Sequence, residues 1–201
     1  MDLRAAFGEI DIYLFDQLLR GRLAPGMRVV DAGCGAGRNL VYLLREGFDV
    51  FASDVNPAAV ATVQRLASEL APRLGADHFR VETVEAMTFA AGTADFVMSS
   101  AVLHFARDAA HFDEMLDAMW RVLAHRGTLF CRLASTIGMA DRMRPIGHGR
   151  YRLPDGSERF LVDEAALVEA TRRLGGELLD PLKTTVVQDE RCMTTWVVRK
   201  A

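Results

Sequence analysis

Apolar side chains recur along this chain with two spacings, each typical of a different element. Over residues 2–20 they fall every three or four positions, so we expect one leading helix within a segment 1–22. Further along, short β-branched and apolar runs predict strands, and helical patterns separate most of them. The predicted strands are 28–31, 48–53, 78–81, 94–100, 128–133, 177–187 and 192–199, and the later predicted helices run from the glycine-rich turn to Glu46, over 57–70, from Asp108 to Gly127 and over 163–174.

This alternation predicts a mostly parallel sheet with helices on both faces. Ligands of such sheets bind outside the carboxyl ends of the strands. Residues 135–160 interrupt the alternation with an irregular, basic insertion, in which 151–153 and 158–161 predict a small hairpin. The chain length fits one domain, which we place at 1–201.

The turn after the first strand carries acid-x-Gly-x-Gly-x-Gly, from Asp31 to Gly37. Glycines at alternate positions let the backbone adopt positive φ and let a ligand approach without a Cβ in the way. A P-loop would need a Lys-Ser/Thr pair, and none follows. A dinucleotide fingerprint would need a glycine where the chain has Arg38. The turn therefore predicts a bound ligand of another kind, with a glycine-rich turn without ligand as the alternative.

Asp54 ends the second strand, 17 residues beyond Gly37. A carboxylate near this distance can accept hydrogen bonds from both vicinal hydroxyls of a ribose. The alternative is a charge at the start of the next helix. Asn56 and Pro57 already supply the capping signals of that helix, so we favour ribose binding.

These residues carry a resemblance to a known family. The run Asp31–Asn39, with Tyr42-Leu43 and Gly47–Val50 after it, resembles the class I S-adenosylmethionine (SAM) dependent methyltransferases of type 11/25. Its glycine loop resembles the tellurite-resistance methyltransferase group. The resemblance to the class I family covers about residues 10–133. It implies a single Rossmann-like, doubly wound α/β domain whose mostly parallel, seven-stranded sheet ends in an antiparallel C-terminal strand. It also implies an enzyme that transfers a methyl group from SAM to a small-molecule acceptor and leaves S-adenosylhomocysteine.

The same resemblance assigns residues to the cofactor. The family holds the adenine in the loop after the third strand, where its usual aspartate is replaced by Thr83. Adenine recognition needs an acceptor for the amine, a backbone N–H and an apolar lid. The predicted cofactor residues are Asp31, Gly33, Cys34, Gly35, Gly37, Asn39, Asp54, Val55, Thr83, Val84, Glu85 and Ser99.

The acceptor side of the predicted site is less defined. His104 follows the fourth strand and is the candidate catalytic residue, with a purely structural histidine as the alternative. The insertion 135–160 is a candidate substrate lid, in which Arg144, His148 and Arg150 would hold an anionic acceptor. A solvated basic loop is the alternative there. A base is needed only if the nucleophile carries a proton at neutral pH.

Composition narrows the class of partner. The 201 residues carry a net charge of −3, which argues against a broad surface for nucleic acid or anionic membranes. The three cysteines are widely spaced, which predicts no metal site and fits the cytoplasm. The sequence shows neither a leader nor a long apolar run, so we expect neither secretion nor membrane insertion. The oligomeric state is not determined by the sequence, and a homodimer is one alternative.

Two other functions compete with methyl transfer. A SAM-binding module without catalysis would show the same loop, although nothing in the motif is broken. A nicotinamide-dependent oxidoreductase is disfavoured by Arg38, which replaces the third glycine of that fingerprint.

Overall fold

A long sheet forms the centre of the molecule in a computed structural model that describes residues 2–201. Met1, which belongs to the predicted leading segment, lies outside the described residues. The strands are β1 (Arg28–Ala32), β2 (Asp49–Asp54), β3 (Phe79–Val81), β4 (Ala94–Ser100), β5 (Leu123–Ala134), β6 (Arg144–Gly147), β7 (Arg150–Arg152), β8 (Glu158–Phe160), β9 (Gly176–Leu178), β10 (Lys183–Val187) and β11 (Arg191–Lys200). The helices are α1 (Leu3–Phe7), α2 (Ile12–Leu19), α3 (Val41–Arg45), α4 (Pro57–Leu70), α5 (Ala109–Val122) and α6 (Glu164–Arg173).

The central sheet has the order β10-β11-β5-β4-β1-β2-β3, and β9 pairs with the end of β11. Strands β1 to β5 are parallel, whereas β11 is antiparallel to β5, β9 and β10. The predicted α/β class, with its mostly parallel sheet and antiparallel C-terminal strand, is confirmed.

Over the described residues the sheet has eight strands where seven were predicted, because 177–187 forms two strands instead of one. Pro181 lies between β9 and β10 and has no N–H to donate to the ladder. The carboxylate of Asp180 turns instead to Arg22, whose Nη1 donates to Oδ2 at 2.6 Å.

Helices cover both faces of the sheet, as predicted, because consecutive strand residues point to opposite sides. On β1, Val29 packs in a core with α2, α3 and α4, while Val30 packs in a core with α5 and α6. Both valines are almost completely buried. Two apolar cores therefore fix the sheet from either side.

The leading segment forms two helices, and the single predicted helix over 2–20 was wrong. Gly8 separates them with φ of 65°, and a Cβ there would lie 2.8 Å from the Val41 side chain. Asp11 then starts α2 by accepting a hydrogen bond from Tyr13 N at 2.9 Å. The apolar periodicity continues across the break, so the pattern alone does not reveal it.

Two other helix bounds differ from the prediction. The helix after the glycine loop begins only at Val41, because Gly37 has a φ of 79° and the chain turns there first. Helix α5 ends at Val122 instead of near Gly127, because Leu123 already pairs with Ala94 in the sheet.

The insertion 135–160 folds onto the edge of the main domain as a separate three-stranded sheet of β6, β7 and β8. The predicted hairpin is confirmed as the antiparallel pair β7 and β8, with a turn closed by Leu153 N donating to Ser157 O at 2.9 Å. A small apolar core holds the sheet in place. Its buried members are Ala134, Met139, Met143, Leu153, Leu161 and Cys192.

Candidate cofactor and acceptor cavities

A cavity of about 700 Å³ opens at the carboxyl ends of β1, β2 and β4, which we call the glycine-loop cavity. This is the edge of the sheet where the topology predicts a ligand. The volume lies within the range of cofactor sites. Its lining residues are Glu9, Gly33, Cys34, Gly35, Ala36, Arg38, Asn39, Asp54, Val55, Glu82, Thr83, Val84, Glu85, Ser100, Ala101, Val102, Phe105, Arg107, His111 and Met115.

The three glycines of the loop meet different surroundings, although all three have positive φ. A Cβ on Gly33 would lie 2.5 Å from the side chain of Val102, and one on Gly37 would lie 3.0 Å from that of Val63. A Cβ on Gly35 would meet no heavy atom within 4 Å, and Gly35 lines the cavity. Two glycines thus allow close packing within the protein, and Gly35 keeps the cavity wall free of a side chain.

Asp54 binds the glycine loop directly. Its Oδ2 accepts a hydrogen bond from Gly35 N at 2.8 Å, and its Oδ1 accepts one from Asn56 N at 2.9 Å. Asn56 itself caps α4 by accepting from Ala58 N, as predicted. Each carboxylate oxygen of Asp54 retains acceptor capacity for a further donor. Asp54 therefore combines a place in the cavity wall with free acceptor positions.

Asp31 lies at the end of β1, just before the loop, and is buried. Burial raises the pKa of its carboxyl to about 7, although Arg38 acts in the opposite direction. Within residues 2–201, no side chain or backbone N–H donates a hydrogen bond to the carboxyl group of Asp31. At the ends of the neighbouring strands, the hydroxyls of Ser53 and Ser99 are buried and have no hydrogen-bond partner among the described residues. Buried polar groups are normally paired, so this end of the sheet fits a polar, cationic ligand.

The predicted adenine segment also lines the cavity, through Thr83, Val84 and Glu85. The nearest oxygen of Glu85 lies 3.1 Å from His111 Nε2, while His111 Nδ1 accepts from Arg107 N. Burial works against ionisation of Glu85. Its own backbone N–H and its contacts with His111 and Thr83 outweigh that effect and lower the pKa of the carboxyl. An ionised carboxylate thus lies two residues after the position of the family's aspartate.

A second, smaller cavity of about 300 Å³ adjoins the first, and Ala101 lines both. We call it the arginine cavity. Ala101 has a φ of 66°, a left-handed conformation that is strained for a residue with a Cβ. Such strain concentrates at functional sites. The lining residues are Ala101, His104, Arg132, Ala134, Leu153, Asp155, Ser157, Arg159, Val187, Arg191 and Met193.

His104 lines the arginine cavity and not the glycine-loop cavity. Burial and the nearby Arg159 lower the pKa of its imidazole to about 4, so the ring is neutral near neutral pH. Ala134 N donates to Nδ1 at 3.3 Å, which places the ring proton on Nε2. His104 can therefore donate a hydrogen bond into this region, but its one basic nitrogen is already engaged.

Asp11, at the start of α2, contacts an arginine from each cavity. Its Oδ2 lies 3.6 Å from Arg38 Nη2 and 3.2 Å from Arg132 Nη1. Its backbone N–H donates to Asn39 Oδ1 at 2.9 Å. The carboxylate is buried. The leading segment thus contacts one wall residue of each cavity, and sequence reasoning missed this role because the partners are distant along the chain.

Most of the predicted cofactor residues come together around the glycine-loop cavity. Asp31, Gly37 and Ser99 do not line it and belong to the packing and polar groups at the strand ends. Burial and the charge of Asp31 raise the pKa of the Cys34 thiol above its usual range, so Cys34 fits the small-side-chain alternative. The predicted residues in the lining are Gly33, Cys34, Gly35, Asn39, Asp54, Val55, Thr83, Val84 and Glu85.

Apart from His104, the predicted acceptor residues lie outside both cavities. Arg144 and His148 are exposed on the outer part of the insertion, and neither they nor Arg150 line the two cavities that meet at Ala101. Strand β8 instead contributes Arg159. Arg159 pairs with Tyr151 and shares its face of the small sheet, whereas Arg150, one residue before Tyr151, points to the opposite face. A basic stretch gives no signal of which arginine faces inward.

Three further observations concern membrane-spanning helices, metal-binding groups and cysteines. No helix between residues 2 and 201 combines the length and the apolar character needed to cross a membrane. The same residues contain no group of three or more His, Cys, Asp or Glu side chains placed to hold a metal ion. The three cysteines are free and buried.

Known proteins share this fold and part of this sequence. Ubiquinone biosynthesis O-methyltransferase of Methylocella silvestris is 37% identical over 108 residues, which are 52% of this chain and 41% of that protein. The chain spans less than half the length of the curated relatives it matches.

Two solved structures superpose over most of the chain. A SAM-dependent methyltransferase of Methanosarcina mazei superposes with a TM-score of 0.70 at 20% identity, over 91% of this chain and 96% of that one. The 1,6-didemethyltoxoflavin-N1-methyltransferase of Burkholderia thailandensis, solved with S-adenosylhomocysteine, gives 0.72 at 18% identity, over 100% and 81%. At these identities the likeness shows the fold.

The family follows from the sequence of the domain itself. Residues 30–131, about half of the chain, match the family described as "Methyltransferase domain". The matched stretch contains the glycine loop, Asp54, the adenine segment and the strands that surround them. The chain therefore belongs to the class I SAM-dependent methyltransferase family.

Proposed function

We propose that this chain is an enzyme that transfers a methyl group from SAM to a small-molecule acceptor. The observation that supports this most directly is at Gly35. Its N–H donates to Asp54, and the position of its missing Cβ is open to the glycine-loop cavity. A bare backbone beside a carboxylate with free acceptor positions suits a nucleoside.

The chain offers a group for each part of the cofactor. Asp54 would accept hydrogen bonds from the ribose hydroxyls, and the segment 83–85 would lie beside the adenine, with Glu85 as the acceptor for its amine. Asp31 lies behind the cavity wall, and its buried carboxyl, which has no donor within the described chain, would act on the cationic part of SAM through its charge. The remaining predicted cofactor residues are part of the same proposal.

When bound, SAM supplies an electrophilic methyl carbon on a positively charged sulfur. The leaving group departs neutral, so the main contribution of the protein is to align the two reactants. The arrangement of the cavities suits this task, since they meet at Ala101. Apolar side chains of Val84, Val102 and Met115 line the larger cavity and limit the access of water.

The role of His104 in this proposal is to contact the acceptor. Its pKa of about 4 and the hydrogen bond at Nδ1 leave Nε2–H as a donor near neutral pH. It would orient an acceptor oxygen instead of removing a proton. An acceptor that is already deprotonated, or that loses its proton to water, would need no protein base.

The variant Gly35→Ala tests the cofactor site. Its new methyl group would project into the cavity, so we expect the affinity for S-adenosylhomocysteine to fall by about tenfold or more, as measured by titration calorimetry. Gly92→Ala is the matched control, because Gly92 also has positive φ and open space at its Cβ but does not line the cavity. Equal affinity in the two variants would contradict the proposed site.

Turnover separates an enzyme from a binding module. The wild-type chain should release S-adenosylhomocysteine from SAM when it is incubated with a panel of small acceptors, and NAD should not bind in calorimetry. Tight SAM binding with no release for any acceptor would favour the non-catalytic alternative. Saturable NAD binding would favour an oxidoreductase.

A further inference from the structure

The arginine cavity carries an excess of positive charge contributed by three separate strands. Arg132 comes from β5, Arg159 follows in β8, and Arg191 begins β11. Among the residues that the structure describes, Asp155 supplies the one carboxylate in the lining. His104 adds no charge near neutral pH, because the pKa of its imidazole is lowered to about 4. Three guanidinium groups therefore face one carboxylate across about 300 Å³.

The contacts of these arginines leave donor capacity unused. Arg132 pairs with Asp11, yet its Nε is buried without a partner in the described chain. One nitrogen of Arg159 donates to the carbonyl of Glu158, and its guanidinium carbon lies 4.9 Å from the ring centroid of Phe105. A planar guanidinium offers five N–H donors, so neither side chain is saturated.

Asp155 does not neutralise the cavity. Its Oδ1 accepts a hydrogen bond from Ser157 N at 2.9 Å, which holds the carboxylate within its own turn. The hydrogen bonds with Ser157, followed by the charges of Arg159 and Arg191, lower the pKa of Asp155. It stays ionised near neutral pH, and its charge acts on the same two arginines that an external anion would use.

Apart from the charged residues, His104 and Ser157, the lining is apolar. Ala134, Leu153, Val187 and Met193 form this part of the wall. A cavity of this size lies at the small end of the range for ligand sites. Its surface therefore suits a compact molecule with an apolar body and one anionic group.

We propose that the arginine cavity binds the methyl acceptor through an anionic group, a carboxylate or a phosphate ester, held by Arg159 and Arg191 with Arg132 behind them. The inference rests on the proposed methyl transfer and adds the class of acceptor. Because Ala101 and the Phe105–Arg159 pair form the boundary with the glycine-loop cavity, a molecule anchored here lies next to the cofactor site. Guanidinium groups favour carboxylates and phosphates because their paired N–H donors match paired oxygens.

Calorimetry with simple probes tests the charge requirement. Benzoate, phenyl phosphate and the neutral benzamide are titrated into the full chain saturated with S-adenosylhomocysteine. We expect at least one of the two anions to bind about tenfold tighter than benzamide, and this preference to weaken as salt is added. Tighter binding of phenyl phosphate than of benzoate would identify the anion as a phosphate ester. Equal binding of all three probes would overturn the proposal.

Variants locate the site. Arg159→Gln should weaken binding of the preferred anion about tenfold, and Asp155→Asn should tighten it, because a competing carboxylate is removed. Arg152→Gln is the control, since Arg152 is exposed on the same hairpin, pairs with Glu158 and does not line the cavity. An equal loss in Arg159→Gln and Arg152→Gln would overturn the proposed site.

The two proposals fail in different ways. If the wild-type chain did not bind S-adenosylhomocysteine, the methyltransferase proposal would be contradicted. The preference for an anion over benzamide could still be measured, because that titration can be done without the nucleoside. If the nucleoside binds normally and the anion preference is missing, only the assignment of the acceptor class is wrong. The imidazole resonances of His104, identified in spectra of His104→Gln, should shift on addition of the anion and remain unchanged on addition of benzamide.

Discussion

Asp31 links the stability of the folded chain to pH. Its carboxyl has a pKa of about 7 in the folded chain, against an ordinary value of 3.8, because it is buried. The folded state therefore holds a proton between about pH 4 and about pH 7 that the unfolded state has lost. The contribution of Asp31 to the free energy of unfolding is present below that range and falls as the pH rises through it.

We expect SAM affinity to change in the opposite direction. A cationic ligand next to Asp31 favours the ionised carboxylate, so binding near pH 6 should release close to one proton, and affinity should rise up to about pH 7. Calorimetry in two buffers with different heats of ionisation counts the protons. In Asp31→Asn this release should disappear, and an unchanged count would show that another group titrates.

Ala101 illustrates strain at a single residue. A left-handed alanine costs about 1 kcal/mol, so Ala101→Gly should raise the free energy of unfolding by up to about that amount, as measured by urea denaturation. The methyl group at the junction of the two cavities is also lost, so we expect slower methyl transfer.

Arg126→Gly provides the comparison for Ala101→Gly. Arg126 also has a positive φ, of 64°, but lies near the start of β5 at the opposite edge of the sheet. This variant should gain similar stability and keep wild-type turnover. If both glycine variants transfer methyl groups at the wild-type rate, Ala101 has no role in aligning the reactants.

At the scale of elements, the start of α2 connects the leading segment to both cavities. Asp11→Ala removes a helix cap and leaves two arginines facing each other without their shared carboxylate. Because Arg38 and Arg132 are partly exposed, we expect a loss of about 2 kcal/mol in the free energy of unfolding, as seen in thermal or urea denaturation.

Two further variants separate the cap from the ion pairs. Asp2→Ala removes the exposed cap of α1 and should cost clearly less. Asp11→Ser keeps a capping oxygen but no charge, and should fall between the other two. If Asp11→Ser were as stable as the wild type, the contacts with the two arginines would contribute nothing.

The bounds of an element could be predicted from the sequence wherever residues close by along the chain determine them. Helix α4 has its cap at Asn56 and its stop at Ala71, and its predicted and observed bounds agree. The break at Gly8 and the early end of α5 depend on Val41 and on the pairing of Leu123 with Ala94. Such contacts arise only in the folded chain, so periodicity could not show them.

At the scale of the whole molecule, the glycine-loop cavity and the arginine cavity also differ in how far the sequence predicts them. The glycine loop, Asp54 and the segment 83–85 follow consecutive parallel strands, so their common edge follows from topology alone. Arg132, Arg159 and Arg191 come from three elements, and only the packing of the insertion against the sheet brings them together. The residues that gather at the glycine-loop cavity could therefore be predicted, whereas those that line the arginine cavity could not.

Some predictions belong to the molecule as a whole and stay predictions. They are a single domain over 1–201, a cytoplasmic location, the lack of a nucleic-acid or membrane partner, and an insertion 135–160 that covers the acceptor. The insertion shares a small core with the ends of β5 and β11, through Ala134 and Cys192, which suits a rigid cover. A homodimer remains an alternative that sedimentation would test.

The shared carboxylate of Asp11 has a consequence for the order in which two ligands arrive. Arg38 and Arg132 both draw on one buried anion, and each belongs to the wall of a different cavity. An anion bound in the arginine cavity would attract Arg132 away from Asp11, whose carboxylate would then pair with Arg38 alone. The stronger pair of Asp11 and Arg38 would hold the wall of the glycine-loop cavity more tightly around its nucleoside. Such coupling is reciprocal in free energy, so each ligand would enhance the affinity of the other by one and the same factor, and cooperativity would arise from a single side chain.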